Sequence, residues 1–407
     1  MDSTPRVAIV GGGPAGAVAA LVLARRGVPV TVIEARAGPA SRVGETLPPS
    51  LAPLLRNLGL EAGLEQDRQA GHHLRSQGNR ACWGSPQPVE SPFLARPEGA
   101  GWHVDRRRFE ARLAEAAVQA GAEWRWGRRA TVLPASAKGG GGKWRLALET
   151  VEPRGIGAAR RAGGSGTGRS PSAAHLDVDF IADATGRHST MVRRLEVRRL
   201  RYDRLVGIST VLAAPPGAPA PLEDSYTLVE ATPDGWWYSA LLGGGRLAVA
   251  LLGDGDLLDR TLLARGGNPA AWWRSLRRTA AATRERVEAH GAGEAATRLH
   301  VLPAESSRLD AIAGPGWLAL GDAAAAYDPL SSHGVASAMG SGFYGGNAIA
   351  DLLAGRTEAS AAYLDVMQRA YGAYLDLVRE RYAAERRWPD APFWRRRHAA
   401  GYALEPI

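Results

Sequence analysis

Val7-Ala8-Ile9-Val10 runs directly into Gly11-Gly12-Gly13-Pro14-Ala15-Gly16, and this junction limits the possible folds more than any other stretch of the chain. The apolar run reads as a strand, the glycines as a tight turn, and Ala17 to Arg26 as a helix that Gly27 stops. Val30-Thr31-Val32-Ile33 follows, β-branched and apolar, closed by Glu34. Together these predict a βαβ unit and a parallel sheet. In the GxGxxG pattern Gly11 permits the turn, Gly13 lets a pyrophosphate approach the backbone, and Gly16 allows close helix–strand packing. The helix end opened by Pro14 and Ala15 then faces the pyrophosphate charge. Glu34, followed by Ala35, sits where a carboxylate can accept hydrogen bonds from a ribose diol.

The chain has 407 residues, enough for two to three domains. Its 45% hydrophobic and 22% charged content is that of a soluble globular enzyme. No run of 18 apolar residues occurs, so no transmembrane helix and no membrane partner are expected. The apolar stretch Val7–Leu23 contains the glycine turn and lacks a charged leader, unlike a signal peptide. A single cysteine, Cys82, cannot form an internal disulfide, which fits a reducing, cytoplasmic setting. No Cys/His cluster suggests a metal. Lys plus Arg minus Asp plus Glu gives 50 − 41 = +9. The arginines are spread along the chain in short runs such as Arg106–Arg108 and Arg395–Arg397, so no nucleic-acid partner is expected.

The fingerprint alone does not choose between FAD and NAD. Two later turns favour FAD. Ile181-Ala182-Asp183-Ala184-Thr185-Gly186 is a strand ending in a small-residue turn. Trp317 to Leu320 followed by Gly321-Asp322-Ala323-Ala324 is a strand that ends in an acid. Beyond it, Tyr327-Asp328-Pro329-Leu330-Ser331-Ser332-His333-Gly334 leads into a small-residue helix, Val335–Leu353. The unpaired N–H groups at that helix start, bordered by Pro329, Ser332 and Gly334, would point at the flavin ring. His333 is a candidate general acid or base there. After the second strand, Arg42-Val43-Gly44-Glu45-Thr46-Leu47-Pro48-Pro49 forms a stiff loop, with Arg42 and Gly44 on the cofactor side and Glu45 near the flavin as a catalytic candidate.

These motifs, with Val104-Asp105-Arg106, resemble the single-component flavin monooxygenase and flavin-dependent halogenase superfamily, whose fold is that of p-hydroxybenzoate hydroxylase. The resemblance implies that Gly11, Gly13, Gly16 and Glu34 bind the ADP half of FAD, that Arg106 contacts the cofactor, and that Asp322 holds its ribityl chain. Asp183 and Gly186 would belong to the same cofactor surface. Asp234-Gly235-Trp236-Trp237-Tyr238, Asp328–Gly334 and the segment from Glu385 to Trp394 are similar to flavoproteins that mature tryptophylquinone cofactors, which are thought to hydroxylate a tryptophan in a partner polypeptide. Halogenases of this superfamily use a relay lysine and a Trp-x-Trp-x-Ile-Pro signature. This chain has two lysines, Lys138 and Lys143, both in a glycine-rich stretch, and Trp124-Arg125-Trp126 is not followed by Ile-Pro.

The expected architecture is α/β: an FAD-binding Rossmann-like three-layer ββα domain, an inserted, mainly antiparallel β-sheet substrate domain and a C-terminal helical segment. Residues 1–70, 104–195 and 298–355 form the first, with a flexible surface insert at 134–175. Residues 71–103 and 196–297 form the second, and 356–407 the third. A helix is expected over Trp272–Ala289. Trp236, Trp237 and Tyr238 are candidates to line an aromatic substrate. The resemblance implies NAD(P)H as reductant, dioxygen as co-substrate, and an aromatic ring as substrate, free or carried on a partner protein or peptide. Alternatives are a small-molecule aromatic hydroxylase, an isoprenoid reductase of the same fold, a halogenase, or a non-catalytic flavin-binding assembly partner docking through Arg386–Arg397. The oligomeric state is open at this stage.

Overall fold

The computed structural model describes residues 4–40, 42, 44–94, 96–133, 143–151, 174–213, 224–264, 267–291, 298–403 and 405–407. Most of the expected insert, 134–142 and 152–173, lies outside the described residues. Its remainder supplies ordered strands, Trp144–Thr150 and Ala174–Val178.

Val7–Val10, buried along its whole length, pairs in parallel with Val30–Glu34 on one side and Phe180–Asp183 on the other. Glu123–Trp126 and Trp317–Ala319 extend the sheet in parallel, and Ala313–Gly314 closes one edge antiparallel, giving six strands. The helices Pro14–Arg25, Arg106–Gln119 and Gly334–Leu353 pack together on one face. A three-stranded antiparallel sheet, with Arg128–Val132 first, covers the other, so the expected three-layer ββα order is present. The small residues of Gly334–Leu353 explain its closeness to the first helix: a Cβ on Gly342 would lie 2.3 Å from the Ala15 carbonyl oxygen.

The second large sheet has seven strands, in the spatial order His300–Pro303, Leu205–Ala213, Arg246–Asp254, Gly235–Leu242, Tyr226–Thr232, Gly78–Cys82 and Val89–Pro92. All pairs are antiparallel except Tyr226–Thr232 with Gly78–Cys82. His300–Pro303, expected in the nucleotide-binding part, belongs to this sheet, because it pairs with Val206–Ser209. One sheet face packs Ile208, Trp237, Val249 and Leu251 against Trp272 and Leu276 of the helix Pro269–Thr279. The other face carries Trp236, Ala250 and Leu252 into the core shared with the nucleotide-binding half.

The expected helix Trp272–Ala289 is two helices, Pro269–Thr279 and Ala281–His290. Ala280 leaves the helical conformation at the break (φ −122°, ψ 84°), and Glu230 reaches from the sheet to accept from the N–H groups of Ala282 and Thr283. Those are orphan donors of a new helix start, so the break is held by a cap supplied from elsewhere in the chain. Thr46–Leu47, Gly101–His103 and Leu74–Ser76 form a small sheet between the halves. The chain ends in a 27-residue helix, Glu358–Ala384, and a short one, Pro392–His398. Among the described residues no helix is long and apolar enough to cross a membrane.

Candidate active site

The glycine turn has the geometry of a phosphate cradle. Gly11 has φ +106°, and a Cβ there would lie 2.2 Å from the Ala184 carbonyl oxygen, so no side chain fits. A Cβ on Gly13 would meet nothing within 4 Å, so the backbone at the start of the helix Pro14–Arg25 is open to a ligand. Glu34 ends the neighbouring strand. Its carboxylate accepts from the backbone N–H of Gly12 (2.7 Å) and of Arg36 (2.9 Å) and from Arg36 Nε (2.9 Å). Burial pushes this carboxyl up, but the Arg36 guanidinium and the two N–H groups outweigh it and hold it below the usual range. Arg36 also lies 3.5 Å from Glu110, which pairs at 2.6 Å with Arg106, and Arg106 donates to the Gly44 carbonyl at 3.0 Å. Arg42, exposed, shares the field of Arg36, Arg106, Glu34 and Glu110. Three guanidinium groups against two carboxylates leave an excess positive charge beside the glycine turn, which suits a diphosphate. Arg36 and Glu110 are not in any motif. Only the i, i+4 spacing of Arg106 and Glu110 hints at them in sequence.

The two later acidic turns differ. Asp183 is fully buried, and its carboxylate is consumed by Thr185 N and Oγ1, Met191 N and Val192 N. The expectation of a cofactor ligand at this side chain is therefore corrected: it shapes the turn that carries Gly186, which itself stays open. Asp322 keeps 37% of its side chain exposed, with Arg187 Nε at 3.7 Å. Gly321 is wedged against Ala15, where a Cβ would lie 2.7 Å away, so Asp322 and the first helix start are neighbours. Pro329 opens the 3-10 turn Pro329–Ser331, Ser332 follows at φ 56°, and Gly334 starts the long helix. His333 has a buried Nδ1 without a hydrogen-bond partner, and burial, followed by Arg381, lowers its pKa, so the ring is neutral near pH 7.

Glu45 lies in the seam between the two halves. It is 2% exposed. One carboxylate oxygen accepts from Gly44 N at 2.9 Å, and the other is buried with no hydrogen-bond partner. Burial raises its pKa to about 7, against the pull of its own and the Gly44 backbone N–H, Arg106 and Arg246. Beside it runs a polar chain that joins two of the sequence motifs to Thr227 and His103, which no motif announces: Tyr238 OH to Thr46 Oγ1 (2.9 Å), Thr46 to Thr227 Oγ1 (3.3 Å), and Thr227 to His103 Nε2 (2.9 Å). Burial, with Arg286 adding to it, lowers the His103 pKa to about 4, so this imidazole is neutral. Burial and the nearby Glu45 push the Tyr238 phenol above its ordinary value.

The three aromatic candidates separate. Tyr238 is half-buried and joins the hydroxyl chain. Trp236, on the same sheet face, is buried and donates to Tyr382 OH at 3.0 Å. Trp237 is fully buried on the opposite face, edge-on to Trp272 at 5.1 Å, and cannot line a chamber on the other side of the sheet. Of the expected docking arginines, Arg386 and Arg395 are exposed, while three are engaged in ion pairs. Arg387 pairs with Glu385, Arg396 with Asp254 and Asp256, and Arg397 with Asp254.

The model for the family described as "FAD binding domain" matches residues 4–370. The chain belongs to that family. It is 28% identical over 400 residues to LodB of Marinomonas mediterranea, described as an FAD-dependent oxidoreductase, with 96% of each chain covered. It is 27% identical over 375 residues to a tryptophan 2-halogenase of Chondromyces crocatus, covering 91% of this chain and 66% of that one. Among solved structures, the flavin-dependent halogenase CmlS superposes with TM-score 0.78 at 24% identity, covering 99% of this chain and 70% of that one. The peptidyl tryptophan dihydroxylase QhpG, essential for tryptophylquinone cofactor biogenesis, gives TM-score 0.72 at 24% identity, covering 98% and 79%. The expected fold and the expected FAD-dependent oxidoreductase class therefore hold. The residues fit FAD. Gly13 and Gly186 are open where a Cβ would find no neighbour, three arginines flank the turn, and Asp322 keeps a free carboxylate edge.

Proposed function

We propose that this oxidoreductase hydroxylates an electron-rich aromatic ring, a tryptophan side chain in a partner polypeptide, with NAD(P)H as reductant and dioxygen as oxidant. The overall change is ring C–H plus O2, NAD(P)H and a proton giving ring C–OH, water and NAD(P)+. FAD, when bound, supplies the activation of dioxygen. The protein binds, orients and moves protons.

The observation that carries the reading is Glu45: a buried carboxyl with one unpartnered oxygen and a pKa near 7, beside the Tyr238–Thr46–Thr227–His103 chain. Hydroxylation of an arene must release the ring proton from the carbon that gains oxygen. A carboxylate poised near neutrality can take that proton and return it to solvent. Tyr238 and Thr46 would orient the ring. Ala240, Ala248 and Ala250 share the Tyr238 face by strand register, so the side chains around it there are small. In the cradle, Gly13, Glu34, Arg42, Arg106 and Asp322 would hold FAD, and the Pro329–Gly334 loop would border its ring.

Support for a tryptophan in a polypeptide comes from the fold shared with the peptidyl tryptophan dihydroxylase QhpG and from the resemblance of Asp234–Tyr238 and Asp328–Gly334 to flavoproteins that mature tryptophylquinone cofactors. Halogenation is disfavoured by the lysines. Lys143, the one within the described residues, is exposed and lies 3.9 Å from Asp179, at the end of the parallel sheet opposite the glycine turn. The deciding experiment supplies FAD-loaded protein with NAD(P)H, a tryptophan-containing peptide, free indole and isotopically labelled dioxygen, with bromide present. Labelled oxygen in the peptide, read by mass spectrometry, is the expected result. A bromine adduct instead, or NAD(P)H consumption with only free indoles oxidised, overturns the reading.

A further inference from the structure

The loop that would border the flavin ring is held from outside the family-matched region. Ser332 adopts φ 56°, a left-handed conformation that costs a non-glycine residue about 1 kcal/mol or more and persists only where the surroundings fix it. What fixes it is Asp328, fully buried at the start of the turn. Its Oδ1 accepts from Leu330 N (2.8 Å), and its carbonyl oxygen accepts from Ser331 Oγ (2.8 Å). Asp328 in turn is clasped by two tyrosines of the helix Glu358–Ala384. Its backbone N–H donates to Tyr374 OH (2.7 Å), and its Oδ2 accepts from Tyr382 OH (2.7 Å). Tyr382 OH also accepts from Trp236 Nε1 at 3.0 Å, on the strand that carries Tyr238. Both tyrosines lie beyond residue 370, where the family match ends.

We propose that Tyr382 is a positioning residue: through Asp328 it sets the Pro329–Ser332 turn, and with it the N–H donors at the start of the helix Gly334–Leu353 that face the flavin. The inference rests on the reading of that loop as the flavin border. The setting makes the bond consequential. Without the Tyr382 hydroxyl, Asp328 Oδ2 is a buried acceptor with no donor, in a pocket shared with the second buried carboxyl Asp203 and the Arg397 guanidinium. An unpaired buried acceptor drives local rearrangement, and the turn it caps is the nearest thing that can move. The ring of Tyr382, by contrast, is held independently, by Trp83, Phe393, Trp394 and Arg397. Removing the hydroxyl therefore tests the bond without emptying the core.

The test uses the full chain with Tyr382→Phe, titrated with FAD by fluorescence, together with the visible flavin spectrum and the midpoint potential of the bound cofactor. A weakening of FAD binding of up to about tenfold is expected, the equivalent of about 1.4 kcal/mol. It should be accompanied by a shifted potential and an unchanged far-UV CD spectrum. Tyr402→Phe is the control. Tyr402 meets Tyr382 edge-on, with ring centres 5.7 Å apart, but its hydroxyl has no hydrogen-bond partner, so neither FAD affinity nor potential should move. Asp328→Asn probes the same bond from the other end and decides the matter if Tyr382→Phe fails to fold. The double variant should be no worse than Asp328→Asn alone. Wild-type affinity and potential in both single variants, or equal shifts in Tyr402→Phe, overturn the inference. Failure of the wild type to bind FAD would instead overturn the reading on which it rests.

Discussion

Glu45 and Arg106 carry opposite electrostatic logic a few ångströms apart. Glu45 is buried with too few donors, and its folded pKa, about 7, stands above the ordinary 4.5. A raised carboxyl pKa contributes stability that is full below the unfolded value and lost as pH rises through the folded one. Between about pH 5 and about pH 8 the wild type should therefore lose up to about 3 kcal/mol that Glu45→Gln does not lose. Urea melts of both proteins at the two pH values check this, and parallel pH dependence would refute it. If Glu45 accepts the ring proton, Glu45→Gln should also lower kcat by about 100-fold or more and abolish the inflection near pH 7 in kcat/KM. Arg106 pairs with the buried Glu110, whose other cation, Arg36, is at 3.5 Å. Arg106→Ala leaves that carboxylate underpaired and should cost about 3–5 kcal/mol in urea unfolding, in addition to weakening FAD binding. At this scale the sequence was legible wherever the backbone dictates the residue. Gly11 and Gly13 stand in a fingerprint because their positions tolerate no side chain or must stay open. Asp183 and Asp322 looked alike because a sequence shows a carboxylate but not the four donors that consume one of them. Thr46 stands in the Arg42–Pro49 loop, but its partner Thr227 and, beyond it, His103 are not legible, because these groups meet across 181 and 124 residues of chain with no local pattern to join them.

Strands and helices read more easily than their faces. The pairing of Trp236–Tyr238 with Leu247–Leu252 follows from alternation and glycine punctuation, and the register Trp236↔Leu252 bears it out. Alternation fixes that Trp236 and Tyr238 share a face while Trp237 takes the other. It does not say which face looks at the nucleotide-binding half, since both are apolar: one meets helices, the other the shared core. The same two residues give a discriminating experiment. Trp237→Ala empties a fully buried site against Trp272 and should cost about 3–5 kcal/mol of stability, with substrate KM unchanged in the protein that remains folded. Tyr238→Phe should cost only about 1 kcal/mol for its bond to Thr46 and instead raise KM or lower kcat. A reversed pattern would move the substrate chamber to the other face of the sheet. The break at Ala280 was illegible for a related reason. The cap comes from Glu230, some fifty residues earlier, whereas the local sequence, centred on Ala280-Ala281-Ala282, contains no glycine or proline to break a helix.

The C-terminal segment joins the two halves, and its arginines show how. Trp83 Nε1 donates to the Arg381 carbonyl, Gly84 N to Glu385, and Trp394 Nε1 to the Thr232 carbonyl, all on the seven-stranded sheet side. Tyr382 reaches the Asp328 loop on the nucleotide-binding side. Between them Arg397, 3% exposed, binds Asp254 at 2.8 Å and lies 3.5 Å from the centre of the Phe393 ring. A run of arginines at the end of a basic chain reads as a solvated docking strip. Here two of them neutralise an aspartate inside the fold, because Asp254 is 2% exposed and needs both Arg396 and Arg397. Arg397→Ala should therefore weaken the junction more than either half, by about 3–5 kcal/mol. Four of the twelve tryptophans, Trp83, Trp236, Trp388 and Trp394, are in or beside this junction, so tryptophan fluorescence reports it while far-UV CD reports the whole. In the wild type the two urea transitions should coincide, as expected for halves that unfold together. In Arg397→Ala the fluorescence transition should come first, with FAD released in the same step, since the loop proposed to border its ring loses its anchor when the C-terminal helix detaches. Coincident transitions in the variant would mean that the halves hold each other directly, through the core around Trp236, Ala250 and Leu252, and that the C-terminal segment covers the junction without securing it.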